Sequence, residues 1–184
     1  SMFYIDLLHN RSFNLFRLRN LNAPAPWKID PDEVRIRSQA DADASRPIPI
    51  YADAQGYYAL YNGTVLRGGA RNVVMTETKG KSNYYALNFT WQKERGEDHF
   101  AWRMVYTLSL LENNTEDINF RAMDSNDFDA EWGPSVNDRR HLLNGLLYWY
   151  PHEKLSINLA ALIQSGQPVN RIPDGNVYGT TDLN

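Results

Sequence analysis

Between His99 and Leu110 the chain reads "HFAWRMVYTLSL", and its large apolar side chains fall on one parity. Phe100, Trp102, Met104, Tyr106, Leu108 and Leu110 share that parity, while His99, Ala101, Arg103, Thr107 and Ser109 share the other, with Val105 the one apolar intruder. Period two is the mark of an extended strand. A water-soluble sandwich would turn the large face to a core and the polar face to bulk water. A membrane barrel reverses this, with the large face on lipid and the polar face on a wet lumen.

The same pattern recurs. Tyr85, Leu87, Phe89 and Trp91 oppose Tyr84, Ala86, Asn88, Thr90 and Gln92; "HLLNGLLYWY" is extended and breaks at "PHEK"; Leu155 to Gln164 alternates again. Two kinds of connection separate these runs. "KERGED" is a short turn, whereas Glu112 to Arg140 is long, polar and rich in Asp and Asn, and a Gly/Pro/Asn-rich stretch follows Gln164. Tight turns at one end and long loops at the other are expected of outer-membrane barrels, and soluble domains seldom carry structureless loops beyond about 12 to 15 residues. Runs of roughly ten residues cover about 33 Å of contour, enough for a tilted strand to cross the apolar band.

Organisation changes near Ser82. The segment "MFYIDLLHNRSFNLFRLRNLN" supports one or two extended stretches, with Phe13, Leu15 and Arg17 on one parity, or a short helix; the prolines of "APAPWKIDPDE" then break regular structure. "YYALYNGTVL" and "NVVMTET", separated by "RGGAR", predict a hairpin. The chain thus divides into 1–81, strands with a long extracellular excursion, and 82–184, barrel strands and loops. Residues 35–81 are open to reading as a folded excursion or as further barrel strands.

Composition narrows the function. The 184 residues are 42% hydrophobic and 12% aromatic, with a mean hydropathy of -0.56. No run approaches the roughly 18 apolar residues of a spanning helix, which excludes helical membrane proteins but not barrels. A net charge of -3 without a basic patch argues against nucleic acid, and the absence of cysteine removes disulfides and thiolate metal sites. Nucleophile-elbow, phosphate-loop, dinucleotide and zincin motifs are missing, so no enzyme activity and no cofactor are expected. Asp138 and His141 flank Arg139 and Arg140 without a positioned Ser or Cys, which favours a structural role at a strand start. In "MDSNDFDAEW", Asp127, Asp129 and Glu131 offer paired carboxylates. Asp124, Asn126 and Asp129 offer a weak calcium alternative that lacks the EF-hand pattern. The histidines His9, His99, His141 and His152 show no ligand spacing. Trp91, Trp102, Tyr148, Trp149 and Tyr150 suit an interfacial girdle, a soluble core or a sugar platform, and their place beside turns favours the girdle.

The ordered pieces "SNYYAL", "YTLS", "DRRH", a proline turn and "SGQP", with "FRLRNLNAP" upstream, resemble the late barrel strands of TonB-dependent outer-membrane receptors. The likeness is to the Oar-like branch, whose members carry a carboxypeptidase-regulatory-like domain. It covers 82–184 well and earlier residues loosely. It implies a bacterial outer-membrane receptor of about 22 strands, moving a bulky ligand with energy delivered by TonB to a plug domain outside this chain.

The expectation is therefore an all-β fold, an antiparallel part of a larger transmembrane barrel with long extracellular loops, its barrel completed by other strands or chains. Phe100, Trp102, Met104 and Tyr106 are expected to face lipid, and Arg103, Thr107 and Ser109 the lumen. Asp124, Asp127, Asp129, Glu131, Trp132, Arg171 and Asp174 are expected in the ligand-contact loops. The rival expectation is a soluble extracellular β-sandwich binding glycans through exposed aromatics.

Overall fold

A computed structural model describes residues 1–26, 37–68, 71–122 and 124–169. The described residues form nine strands and one short helix: β1 (Met2–Asn20), α1 (Gln39–Ala44), β2 (Ile50–Asp53), β3 (Gly56–Tyr61), β4 (Thr64–Arg67), β5 (Val74–Lys93), β6 (Phe100–Asn113), β7 (Gly133–Pro134), β8 (His141–His152) and β9 (Leu155–Gln164). The chain is all-β with antiparallel sheets. One sheet runs β1-β5-β6-β8-β9 with β7 beside β6; the other is β2-β3-β4.

The chain forms two compact units. The first comprises Ser1–Ser12, Ser82–Asn113 and Gly133–Val169, and the second draws on Phe13–Lys81 and Asn114–Trp132. Strands β1 and β5 contribute to both.

In the first unit, β5 pairs β6 continuously from Ser82↔Asn113 to Lys93↔Trp102. Strand β6 pairs β8 from Phe100↔Trp149 to Leu108↔His141, and β8 pairs β9 from Leu142↔Gln164 to His152↔Leu155 with a bulge between Trp149 and His152. These strands are long: β6, β8 and β9 have 14, 12 and 10 residues, against a usual globular strand of about 5 to 6. Their connections alternate in length. β5 turns into β6 through 94–99, where the Lys93–Asp98 ion pair spans the turn, and β8 turns into β9 through Glu153 and Lys154. At the other end, 21–73 separate β1 from β5 and 114–140 separate β6 from β8.

The edge of β6 beyond its pairing with β8 is covered by the returning loop. Ser135 N donates to Leu111 O at 2.9 Å and Ser109 N to Arg140 O at 3.0 Å. Asp138 Oδ1 accepts from Leu111 N at 2.9 Å, its other oxygen meets Arg140 Nη2 at 3.2 Å, and Ser109 Oγ donates to Arg139 O at 2.9 Å. The buried Asp138 carboxylate thus replaces a missing strand partner, which satisfies a backbone donor that would otherwise be orphaned.

β1 is a single strand of 19 residues, the one-strand form of the expectation. Two details differ from the sequence expectation. β5 starts at Val74, ten residues before Tyr84, so the run "NVVMTET" opens it and is no hairpin arm. The hairpin closes at Asn62-Gly63, with φ of 49° and 78°, joining β3 to β4 in register from Tyr61↔Thr64 to Tyr58↔Arg67. Asn-Gly accepts positive φ at both positions, which a two-residue turn between right-twisted strands requires.

Candidate functional site

Cross-strand partners in an antiparallel pair lie on one face, so the register of the first unit sorts its side chains. Phe89, Tyr106, Leu143 and Ile163 form one row; Trp91, Met104, Gly145 and Ala161 the next; Lys93, Trp102, Leu147 and Leu159 the next; then Phe100, Trp149 and Ile157. His9 stacks on Tyr85 with ring centroids 4.4 Å apart, which places the alternating residues Phe3, Ile5 and Leu7 of β1 on this face. The opposite face carries Gln92, Arg103, Leu146 and Ala160; Thr90, Val105, Asn144 and Leu162; and Asn88, Thr107, Leu142 and Gln164. Thr107 Oγ1 donates to Asn88 Oδ1 at 2.7 Å across it.

Burial is inverted relative to a water-soluble protein. The buried hydrophobic residues among those described are five alanines and Phe128, whereas Leu7 is 81% exposed, Leu159 64% and Ile157 49%. Phe3, Ile5, Trp91, Phe100, Met104, Leu108 and Trp149 are exposed as well. An apolar face of this extent, interrupted at its ends by Lys93 and His141, is an interaction surface. Aromatics crowd its turn end: Trp91 meets Trp102 edge-on at 5.3 Å, and Phe100 stacks on Trp149 at 6.2 Å. Further along, Tyr106 OH lies 2.7 Å from His141 Nδ1. Phe100, Trp102, Met104 and Tyr106 all lie on the apolar face. Arg103 and Thr107 lie on the other, as does Ser109, opposite Ala86.

In the second unit the acidic loop residues serve as turn acceptors. Asp124 Oδ1 accepts from Asn126 N at 2.8 Å and from Asn126 Nδ2 at 2.9 Å, and Asp127 Oδ1 accepts from Ala130 N at 3.2 Å. Asn126 Nδ2 also donates to Pro24 O at 3.0 Å. No group of three or more His, Asp or Glu side chains arranged to hold a metal occurs among the described residues. Asp129 lines a pocket, and Trp132 is exposed. Arg171 and Asp174 lie outside the described residues.

The sequence reading missed the centre of this unit. Arg17 Nη2 meets Glu77 Oε1 at 2.7 Å, both side chains nearly inaccessible, and its guanidinium lies 3.6 Å over the Phe128 ring. The alternating basic residues of "RLR" (17–19) and "KGK" (79–81) were the available signal. A second brace holds α1. The fully buried Arg46 side chain meets Asp43 at 2.9 Å and donates through Nη1 to Asn22 O at 2.6 Å and Arg71 O at 2.7 Å; Arg71 meets Asp43 at 2.7 Å. Burial works to raise the Asp43 pKa, but the hydrogen bonds from Arg71 and Arg46 outweigh it and hold the carboxyl below its ordinary value.

A family model described as an outer membrane beta barrel domain matches residues 4–154. No curated protein and no solved structure matches the chain.

Proposed function

The chain belongs to the outer membrane beta barrel domain family and resides in the bacterial outer membrane, and from that premise we propose that it forms wall and loops of a TonB-dependent receptor. The two-faced sheet of long strands, with tight turns at one end and extended excursions at the other, supports the barrel, and the resemblance of "SNYYAL", "YTLS", "DRRH" and "SGQP" to late receptor strands supports the receptor. The apolar face, with Phe100, Trp102, Met104 and Tyr106, contacts lipid; the opposite, mixed face, where Arg103, Thr107 and Ser109 stand beside Leu146 and Leu162, lines the lumen.

Among the described residues β9 pairs on one side only, and β1 has, beside β5, only the isolated Leu18–Arg121 bridge. A strand edge in hydrocarbon leaves backbone groups that nothing can satisfy, so further strands, from the same polypeptide or other chains, close the barrel. The loops within 114–140 grip a bulky ligand, and a plug outside this chain receives the energy from TonB.

The test is fractionation of the source cells with an antibody against 112–138, external protease on intact cells, and formaldehyde crosslinking to TonB. A much larger outer-membrane species, clipped from outside within 112–138 and crosslinked to TonB, is expected. A species of this chain's own size, or an intact larger species without a TonB adduct, overturns the receptor reading.

A further inference from the structure

Between β1 and β5 in the second unit lies a pocket of about 330 Å³ whose walls include Phe13, Arg17, Thr78, Lys79, Lys81 and Asp129. We propose that this pocket binds a phosphorylated sugar, as a free solute or as the headgroup of a lipid.

The charge balance favours an anion. Glu77 is 5% exposed and ringed by cations: Arg17 lies at 2.7 Å, and Arg19 and Lys79 each at 3.9 Å from its second oxygen. One carboxylate thus serves three cations, and its Oε2 accepts no hydrogen bond. Lys79 is 67% exposed, and Lys81 is exposed with no side-chain ion pair among the described residues. These two ammonium groups stand two residues apart on β5 and are available to a third party. Buried Arg17 is pinned between Glu77 and Phe128 and supplies a fixed cationic wall. A phosphate group meeting such donors gains charge-assisted hydrogen bonds that water-exposed lysines alone do not organise.

The remaining walls suit a sugar. Phe13 supplies an apolar wall that is 52% exposed, while Asp129 and Thr78 offer acceptors to sugar hydroxyls. Asp129 would repel a bare phosphate, so hydroxyls on the ligand turn that penalty into a contact. Asn14 on the rim has φ of 59°, a left-handed position that interrupts the regular alternation of β1 at the pocket. The volume lies at the lower end of ligand sites, matching one ring and its phosphate.

This inference goes beyond the receptor reading and needs neither TonB nor a plug. The outer-membrane protein that carries this chain, purified with its barrel complete in lauryldimethylamine-oxide micelles, is titrated with glucose 6-phosphate, with inorganic phosphate, and with phosphatidylinositol phosphate mixed into the micelle, each followed by phosphorus NMR. The pocket variant is Lys79→Gln with Lys81→Gln; the control, Lys93→Gln with Lys154→Gln, removes equal charge at the turns. Expected is binding by the parent and control, weakened about tenfold or more in the pocket variant. Asp129→Asn should tighten inorganic phosphate and reduce the preference for glucose 6-phosphate over it. Binding of glucose 6-phosphate alone identifies a free solute, and of the lipid alone a headgroup; either supports the site. Equal affinities in pocket variant and control, no preference for the sugar over inorganic phosphate, or no binding of any probe overturns it.

Discussion

Gly80 sits where β5 passes Thr115 and Leu15 so closely that a methyl group in place of its hydrogen would meet the Thr115 side chain and lie 2.9 Å from Leu15 Cβ. The backbone at Leu15 also lies 2.9 Å away, so the obstruction is not a flexible tip that swings aside. Gly80→Val is therefore expected to destabilise the second unit by about 1 to 3 kcal/mol, the range for overpacking, read as a lower urea midpoint in micelles. Asp43 makes a different residue-scale prediction. Its carboxyl titrates below 3.8 in the folded chain because Arg71 and Arg46 outweigh the effect of burial. A depressed folded pKa contributes stability in full above the unfolded value, and that contribution is lost as pH falls through the folded one. Acidification from neutrality to below 3.8 should thus open 37–68 to an acid-active protease, while Asp43→Asn should open it at neutral pH and abolish the acid step. An unchanged acid step in Asp43→Asn would mean that another group governs the opening.

At the scale of the strand, the two faces make opposite demands on the same substitution. Met104 is central on the apolar face, in a row with Trp91, Gly145 and Ala161, and Asn144 is central on the opposite face, between Val105 and Leu162. Met104→Lys should cost about 2 to 4 kcal/mol of insertion into phosphatidylcholine vesicles, as for a cation at the midplane, whereas Asn144→Lys should cost little. Equal penalties would remove the assignment of faces. These faces were legible in the sequence because alternation in β6 and β9 follows directly from strand geometry; β9 spans the same Leu155–Gln164 that the pattern marks. The start of β5 was not legible, because "TETKGK" carries charge where the apolar signal stops, and hydrogen bonding continues without it. The hairpin was displaced because a glycine-rich "RGGAR" outweighed the two-residue Asn-Gly signal. The Arg17–Glu77 pair spans 60 positions in sequence, and the Phe128 ring beneath it comes from a loop with no periodicity, so only folding brings the three together.

For the molecule as a whole, orientation follows from which end of the sheet carries the long connections. Outer-membrane barrels place tight turns in the periplasm and long loops outside. Strand β8 supplies an internal ruler: exposed Asn137 precedes it in the long-loop segment, and exposed Lys154 follows it in the turn to β9. The 12 residues of β8 cover about 40 Å of contour at 3.3 Å each, enough that a tilted strand separates these positions across the apolar band. The chain has no cysteine, so Asn137→Cys and Lys154→Cys each create a single thiol. A membrane-impermeant maleimide added to intact cells should label Asn137→Cys promptly and Lys154→Cys only once the outer membrane is opened. The reverse pattern would invert the barrel and put 114–140 in the periplasm, removing these loops from any role in capturing an external ligand. Prompt labelling of both would mean that β8 does not span the membrane, and the exposed apolar face of Phe100, Met104 and Leu159 would then have to be covered by protein rather than lipid.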